Sequence, residues 1–309
     1  MFEFLRKIAK KINYILNKFD ILLIRKSTFD KILDNSSSNP NSTIFAKKID
    51  DVLRDVIRHQ ISIKWDLVDQ IEKANSVTEK AQMICPLCYY SGIYEQFSIF
   101  MTQCIFGGGQ LKRFQCPECD VIFGANKMLA LNAKELSQDY ESHYKVYQEG
   151  DTTDAEIRAF NLLKPKKNGI YLNYGAGAWS KSLKILRSQG WNVFAFEPHS
   201  SATSHHDYLI RNKDDLIKFK FDGIVSNNVL EHIRQPIEEF EFMKSILKPN
   251  SKMSHATACY EYLYEYTRFH LFFYLGLSKN LLAKKSGLVI SDFVVDKEFM
   301  CAVFEKQKL

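Results

Sequence analysis

The stretch Ile170-Tyr171-Leu172-Asn173-Tyr174-Gly175-Ala176-Gly177, followed downstream by Val193-Phe194-Ala195-Phe196-Glu197, decides how the chain is organised. An apolar run is broken by two glycines, a helix-length gap follows, and the next apolar run ends on an acidic residue. The glycines allow a tight turn that brings the backbone close to a ligand, and the carboxylate can accept both hydroxyls of a ribose. The stretch therefore predicts a strand-helix-strand unit that binds a nucleoside.

Strand and helix patterns alternate from this stretch to residue 258. Strands are predicted at 170–174, 192–197, 208–210, 221–226 and 251–258, and helices at 179–189, 200–206, 213–217 and 236–247. Such alternation is typical of a parallel, doubly wound sheet, whose ligands bind outside the carboxyl ends of the strands. We therefore predict an α/β protein with a Rossmann-like sheet, closed by a strand pair between Phe293 and Phe304.

The composition is that of an ordinary globular protein. The 309 residues are 46% apolar and 25% charged, and the formal net charge is only +6. No apolar run is long enough to span a membrane, and lysines interrupt the apolar residues near the N-terminus, where no signal-peptide cleavage site follows. We expect a cytoplasmic protein, and the lysine-rich N-terminal stretch would suit the inner face of the membrane.

Residues 1–80 are predicted to form an N-terminal helical region. Apolar residues recur at helical spacing over 2–33, the polar stretch 34–43 is typical of a linker, and a long helix is predicted over 44–74. The N-terminal helices could lie on a membrane surface, pack on the body of the protein, or form a homodimer contact with a second copy.

Two Cys-x-x-Cys pairs mark a second region, 81–150. Cys85 and Cys88 form one pair, and Cys116 and Cys119 form the other. Two such pairs can place four thiolates around one ion, with backbone amides turned towards the sulfurs. Because four sulfurs leave no position open for a substrate, we predict a structural zinc ion, with an iron site as the alternative.

The region 81–150 ends in a tyrosine-rich connector, which is predicted to be helical over 126–149. Tyr144 and Tyr147 lie at helical spacing within it. Their rings could form one wall of a substrate pocket, or they could pack in the core with the hydroxyls at the surface.

Several segments after residue 150 resemble the class I S-adenosylmethionine-dependent methyltransferases. They are Leu172 to Gly177, Phe196 to Pro198, Phe221 to His232 and Leu247 to Pro249, in the order that the family has. The resemblance implies a methyltransferase domain over 151–309 that binds S-adenosylmethionine.

The same resemblance assigns roles to individual residues. It implies that Gly175, Ala176 and Gly177 pass the methionine portion of the cofactor and that Glu197 holds the ribose, while Asn227 and Asn228 lie beside the methyl-bearing sulfonium. The chain departs from the family pattern at Asn173, where an acidic residue is usual, and at Trp179, where a small one is usual. Either departure could weaken cofactor binding, alter the cofactor's pose, or mark a domain without activity.

Two histidines are candidates for removing a proton from the methyl acceptor. Methyl transfer is an in-line displacement in which the protein aligns donor and acceptor, and a hydroxyl acceptor also loses a proton. His232 follows the fourth strand directly beside the predicted sulfonium, although it could instead only shape the loop. His270 lies in a segment similar to one that contributes a histidine to the acceptor pocket of zinc-bearing sugar methyltransferases.

The segment 259–266 carries tyrosines at alternate positions, which share one face if the segment is extended. Tyr262, Tyr264 and Tyr266 would then form an aromatic wall for a sugar or another polar ring, unless they are buried against the core. Arg268 nearby could pair with the phosphate of a nucleotide-linked substrate.

The combination of a zinc module, a tyrosine-rich connector and this domain resembles bacterial sugar and surface-polysaccharide methyltransferases. We therefore predict methyl transfer to a sugar, nucleotide-sugar or glycan, to oxygen rather than carbon. One alternative is a ribosomal or transfer RNA methyltransferase, which we disfavour because the cysteine region holds few basic residues, Lys112 and Arg113 among them. The other is a catalytically silent partner or scaffold protein, suggested by Asn173 and Trp179.

Overall fold

The computed structural model describes residues 40–75, 82–148, 150–177, 180–198 and 207–307, with side chains except at 40–46, 75 and 133. The helices predicted over 2–33 and 200–206 lie outside these ranges, as does Trp179. Statements about the fold and the site below refer to the described residues.

The described chain forms helices and strands in the order that the sequence patterns predict. The helices are α1 Pro40–Asn75, α2 Asn126–Leu129, α3 Ala133–Tyr144, α4 Thr153–Leu162, α5 Lys181–Ser188, α6 Lys213–Leu216, α7 Pro236–Ile246 and α8 Ser278–Lys285. The first strands are β1 Gln82–Ile84, β2 Ser91–Ile93, β3 Ser98–Gln103, β4 Gln110–Gln115 and β5 Val121–Gly124. The later strands are β6 Ile170–Tyr174, β7 Asn192–Phe196, β8 Leu209–Ile210, β9 Phe221–Asn227, β10 Leu247–Ala256, β11 Phe272–Tyr274, β12 Leu288–Asp296 and β13 Phe299–Lys306.

The main sheet has seven strands in the order β12-β13-β10-β9-β6-β7-β8. Strands β6 to β10 are parallel to their neighbours within this group, and β13 and β12 close the sheet as an antiparallel pair. The chain runs from β6 outward through β7 to β8, then returns to place β9 on the other side of β6. The strand order therefore reverses beside β6, and such a switch point opens a crevice at the carboxyl ends of the strands.

The long helix predicted over 44–74 is confirmed and begins earlier than expected. Helix α1 starts at Pro40. Proline is tolerated in the first turn of a helix, because a backbone N–H at that position would have no partner within the helix. The prediction of a linker over 34–43 is therefore wrong for residues 40–43. Helix α1 buries Ile61 and Trp65 against the rest of the protein.

The helical connector predicted over 126–149 is divided into α2 and α3. Asn132 begins α3 with a reciprocal cap, since its side chain accepts a hydrogen bond from the Glu135 amide while the Glu135 carboxylate accepts one from the Asn132 amide. This local pairing stops a continuous helix at residues 130–132.

The cysteine region shares its second sheet with the downstream part of the chain. This sheet has the order β11-β5-β4-β3, and β11 pairs with β5 so that Phe272 lies opposite Phe123. One continuous apolar cluster extends from Trp65 and Phe114 to Phe221 and Leu288. The cysteine region and the nucleoside-binding sheet are therefore packed around a common core. No described helix is long and apolar enough to cross a membrane.

A buried histidine in the main sheet makes stability depend on pH. His255 on β10 is fully buried between the rings of Phe240 and Phe304, and its Nδ1 is 2.7 Å from the Ser226 hydroxyl. Burial lowers the pKa of His255 to about 3 from its ordinary value of 6.5. The folded protein therefore keeps this ring neutral at a pH where the unfolded chain protonates it, and stability is lost as the pH falls below 6.5.

We expect the free energy of unfolding to fall by about 1.5 kcal/mol through His255 alone between pH 6.5 and pH 5. Urea unfolding at both pH values, compared with the non-titrating His255→Leu variant, measures this contribution. An equal pH dependence of the two proteins would contradict the assignment.

Candidate active site

The glycine loop after β6 packs against the segment that follows β9. Gly175 and Gly177 have φ angles of 73° and 67°, in the left-handed region that favours glycine. A Cβ at Gly175 would lie only 2.6 Å from a methyl carbon of Val229. Gly175 therefore leaves the room that lets the loop cross close to the end of β9.

The predicted ribose-binding residue lies against this loop. Glu197 comes directly after β7, and its carboxylate accepts a hydrogen bond of 3.0 Å from the Gly177 amide. The amides of Gly175 and Ala176 donate to the Phe196 carbonyl at 2.9 and 3.2 Å. The loop and the acidic residue, predicted from separate stretches, thus meet at one edge of the sheet.

The two asparagines predicted to lie beside the sulfonium are at the same edge. Asn227 is the last residue of β9, and Asn228 has a left-handed φ of 53° while its amide donates to the Ala256 carbonyl at 2.9 Å. The carboxyl ends of β6, β7 and β9 therefore bring together all the residues predicted to contact the cofactor. Their contacts with the cofactor stay a prediction.

Asn173 is bonded to a carboxylate that the sequence analysis did not identify. Asn173 is buried, and its Nδ2 donates to the Glu156 carboxylate on α4 at 3.2 Å. The hydroxyl of Ser180 donates to the same oxygen at 2.9 Å. No local pattern links Glu156 to the glycine loop, because the contact is made through packing of α4 on the sheet and on the start of α5.

His232 and His270 lie next to each other, 5.0 Å apart between ring centroids. His232 closes a short 3-10 turn after β9, and its Nδ1 is 2.9 Å from the Phe269 carbonyl. His270 lies just before β11, and its Nδ1 is 3.4 Å from the Cys259 sulfur. The sequence motifs indicated each histidine as a separate candidate for the proton acceptor, and the structure brings the two rings together as a pair.

The buried carboxylate of Glu231 joins this pair, since one ligand atom from each of Glu231, His232 and His270 lies within 4.8 Å of the others. A carboxylate and two imidazoles at this range can share a proton, and they are also a set that could hold a divalent cation.

Burial keeps the imidazoles of His270 and His143 neutral. Burial lowers the pKa of His270 well below 6.5, and the nearby charges of His232 and Arg113 lower it further. Burial, with a smaller effect of Arg268, lowers the pKa of His143 to about 4. A neutral imidazole has a lone pair that accepts a proton, so His270 is in the form that a general base requires.

Aromatic rings of the connector pack on one side chain of the histidine pair and on each other. Tyr140 on α3 is stacked on Phe269 at 4.2 Å and approaches His232 with its edge. Tyr144 is stacked on Tyr140 at 6.0 Å and is 52% exposed, and Tyr147 is stacked on His143 at 4.8 Å. The tyrosines of the predicted pocket at 144 and 147 therefore lie in one aromatic group next to the histidines.

The predicted wall of alternate tyrosines over 259–266 is not present. The segment starts with a 3-10 turn at Ala258–Tyr260, and Tyr264 has a left-handed φ of 56°, so the residues do not share one face. Tyr262 packs between Phe100 and Phe273, and Tyr264 bonds to Glu298. Tyr266 packs on the edge of Tyr264. The prediction of an extended segment is wrong because the 3-10 turn and the left-handed Tyr264 interrupt the extended backbone.

Arg268 is not presented to a substrate phosphate. Its side chain is fully buried, Nε donates to Asp139 at 2.6 Å, and Nη1 donates to the Phe106 carbonyl at 3.1 Å. The Asp139 carboxylate also accepts from Lys64 at 2.9 Å. Arg268 therefore connects α1 and α3 to the segment that carries His270, which corrects its predicted role.

Arg113 on β4 holds this segment from the side of the cysteine region. The guanidinium is fully buried and donates to the carbonyls of Glu265 and Thr267 at 2.7 Å each, and to the His270 carbonyl at 3.2 and 3.3 Å. Several charge-assisted hydrogen bonds from one rigid group restrict the backbone strongly. Arg113 therefore positions the segment that carries His270.

The four cysteines of the paired motifs converge with the geometry of a tetrahedral metal site. The sulfurs of Cys85 and Cys119 are 3.7 Å apart, and those of Cys88 and Cys116 are 3.4 Å apart. A tetrahedral ion with bonds of about 2.3 Å to sulfur separates its ligands by about 3.8 Å. The Cys88 amide points at the Cys85 sulfur at 3.5 Å, as the pattern predicted. The cysteines therefore fit a metal ion of this class.

Residues 148–288 match the family model described as a methyltransferase domain. The chain therefore carries a methyltransferase domain with an α/β, Rossmann-like fold, as the sequence motifs predicted. No curated protein sequence matches the chain significantly.

Several solved methyltransferase structures are similar to this one. The 1,6-didemethyltoxoflavin-N1-methyltransferase of Burkholderia thailandensis is 12% identical, with a TM-score of 0.44, and the match covers 64% of this chain and 96% of that chain. A chain of the Haloferax volcanii complex between the Trm112 methyltransferase activator and a methyltransferase is 14% identical, with a TM-score of 0.41, over 50% and 91%. Human N-acetylserotonin methyltransferase is 14% identical, with a TM-score of 0.38, and the match covers 56% of this chain and 55% of that chain.

Proposed function

We propose that this protein transfers a methyl group from S-adenosylmethionine to a hydroxyl of a small polar acceptor, in the class of sugars, nucleotide-sugars and glycans. The observation that carries the proposal is the meeting of the Gly177 amide with the Glu197 carboxylate, 3.0 Å apart, at the strand edge where His232 also follows β9. A nucleoside cradle and a proton acceptor therefore share one edge of the sheet.

The residues of the cradle fit the cofactor's parts. The carboxylate of Glu197 accepts hydrogen bonds, which is what the ribose hydroxyls offer, and the loop at Gly175 to Gly177 has no side chain at its two glycines to keep a ligand away from the backbone. Asn227 and Asn228 follow from the neighbouring strand. The chemistry that bound S-adenosylmethionine supplies is an electrophilic methyl group on a sulfonium.

The histidine pair fits the removal of the acceptor's proton. The hydroxyl of a sugar is a weak nucleophile until a base takes its proton, and His270 is held neutral by burial. The Phe269 carbonyl orients the ring of His232, and the Cys259 sulfur orients the ring of His270. In the proposed reaction one imidazole would accept the proton of the acceptor hydroxyl, and the methyl group would pass to the acceptor oxygen as its bond to sulfur breaks, which leaves S-adenosylhomocysteine.

The aromatic group of Tyr140, Tyr144 and Tyr147 supports a polar ring as acceptor. Tyr144 is half exposed, and an exposed aromatic face with a hydroxyl at its edge can bind the apolar face and polar rim of a sugar. An RNA substrate is less well supported, because the cysteine region's Arg113 is buried on backbone carbonyls and does not offer its charge to phosphates.

We also propose that the four cysteines bind one structural zinc ion. We expect the purified full chain to contain about one zinc ion, and Cys88→Ser to lose it together with thermal stability, because three sulfurs bind zinc more weakly than four. Elemental analysis and thermal melting measure both effects. The control is Cys104→Ser, since Cys104 lies outside the group of four. Zinc retained by Cys88→Ser but lost from His270→Ala would contradict the assignment.

Cofactor binding is tested by calorimetry on the full chain with S-adenosylmethionine. We expect the wild type to bind, and Glu197→Gln to weaken the affinity by about 10-fold or more, because a neutral amide is a poorer acceptor for the ribose hydroxyls. Glu238→Gln, an exposed residue in the first turn of α7, is the matched control. Absence of binding by the wild type up to millimolar cofactor would refute the proposed function.

Turnover tests the role of the histidines once an acceptor is found by screening nucleotide-sugars. We expect His232→Ala and His270→Ala to bind S-adenosylmethionine normally, and at least one of them to lose about 100-fold or more in kcat, because general-base catalysis contributes this much. If both variants turn over at the wild-type rate, the proton-transfer proposal is wrong.

A further inference from the structure

We infer that Glu156 is the anionic residue that binds the ammonium group of the cofactor's amino-acid portion. The inference rests on the proposed function, since it concerns the same cofactor. It adds a binding residue that lies before the glycine motif in the chain and belongs to none of the motif segments.

The carboxylate of Glu156 is surrounded by polar groups of the glycine loop's two ends. One oxygen accepts hydrogen bonds from Asn173 at 3.2 Å, from Ser180 at 2.9 Å and from the Ser182 hydroxyl. The other accepts from the Thr152 hydroxyl at 2.8 Å. Glu156 is only partly buried, so its charge is held in place without being enclosed by protein.

These contacts put the charge at one end of the cradle. Asn173 precedes Gly175 on β6, and Ser180 caps the start of α5 just beyond the loop, where its hydroxyl accepts from the Leu183 amide. Glu197 binds the loop from its other side, at Gly177. Two carboxylates therefore flank the loop, one on the side assigned to the ribose and one on the side that leads back to β6.

The chemistry of the cofactor suits a negative charge at this end of the loop. The amino-acid portion of S-adenosylmethionine ends in an ammonium and a carboxylate, and an ammonium in a partly dehydrated site needs an anionic or carbonyl acceptor. Glu156 can accept further hydrogen bonds, because a carboxylate has about four acceptor positions and Oε1 accepts one hydrogen bond among the described residues, from Thr152. The two serine hydroxyls are also able to turn towards the cofactor's own carboxylate.

The same arrangement explains the amide at position 173. An aspartate there would place a second negative charge within hydrogen-bond distance of Glu156, and two like charges at that range repel. Asn173 instead donates an N–H to the carboxylate and keeps it oriented. The chain thus retains one negative charge at this end of the loop, supplied from α4 and not from β6.

A purely structural role for Glu156, as the acceptor that locks the start of α5, makes a different prediction. Such a lock would support the binding of any ligand that uses the loop. A residue that binds the ammonium affects only ligands that possess the amino-acid portion. Two nucleosides that differ in this portion therefore distinguish the roles: S-adenosylhomocysteine, which has it, and 5′-methylthioadenosine, which lacks it.

The experiment is calorimetry on the full chain with both ligands. We expect Glu156→Gln to weaken the affinity for S-adenosylhomocysteine by about 10- to 100-fold, the usual effect of losing a charged hydrogen bond. The affinity for 5′-methylthioadenosine should stay within about twofold of the wild-type value. Asp154→Asn, in the same helical turn with its side chain 87% exposed, is the control and should bind both ligands as the wild type does.

A charge-swap variant, Glu156→Gln with Asn173→Asp, moves the carboxylate from α4 to its hydrogen-bond partner on β6. We expect it to regain most of the affinity for S-adenosylhomocysteine, which also shows that the protein tolerates a glutamine at 156. Equal weakening of both ligands by Glu156→Gln, or no weakening of either, would overturn the inference while the proposed function stands. If the wild type binds neither ligand, both the function and the inference fail.

Discussion

The parallel pairing of β6 with β7 on one side and β9 on the other is the constraint on which the site depends. It aligns three strand ends, so the residues that follow each strand reach the same crevice. The loop after β6 must then cross close to the segment after β9, and only glycine at 175 leaves room beside Val229. The proposed cofactor cradle is thus a consequence of backbone pairing, which is why residues far apart in the chain meet there.

The cysteine region contacts the segment that carries His270, beside this crevice. Its sheet includes β11, which begins two residues after His270, and Arg113 from β4 donates hydrogen bonds to the carbonyls of Glu265 and Thr267. The buried pair of Arg268 and Asp139 ties the same segment to α3, and Lys64 extends the contact to α1. A metal ion that stabilises the cysteine region would therefore also stabilise the position of His270, although it lies outside the reaction itself.

The predictions for the acceptor side failed because they missed one turn and one buried ion pair. The tyrosines over 259–266 have a period that suits a strand, but the 3-10 turn at Ala258–Tyr260 and the left-handed Tyr264 break it. Arg268 has the charge for a phosphate, but Asp139 on α3 is its partner inside the protein. Neither the turn nor the ion pair leaves a local signal, because both depend on elements that are distant in sequence.

Local patterns by themselves determined the α/β sheet, the glycine loop with Glu197, and the four cysteines, because in each case a short spacing already imposes the backbone geometry that the chemistry needs. Only the tertiary structure decided that His232 and His270 form a pair, that Arg113 holds the segment beside them, and that Glu156 carries the charge next to Asn173. Those contacts join residues on different elements, and their energy comes from burying charged and polar groups together, which no single stretch of sequence encodes.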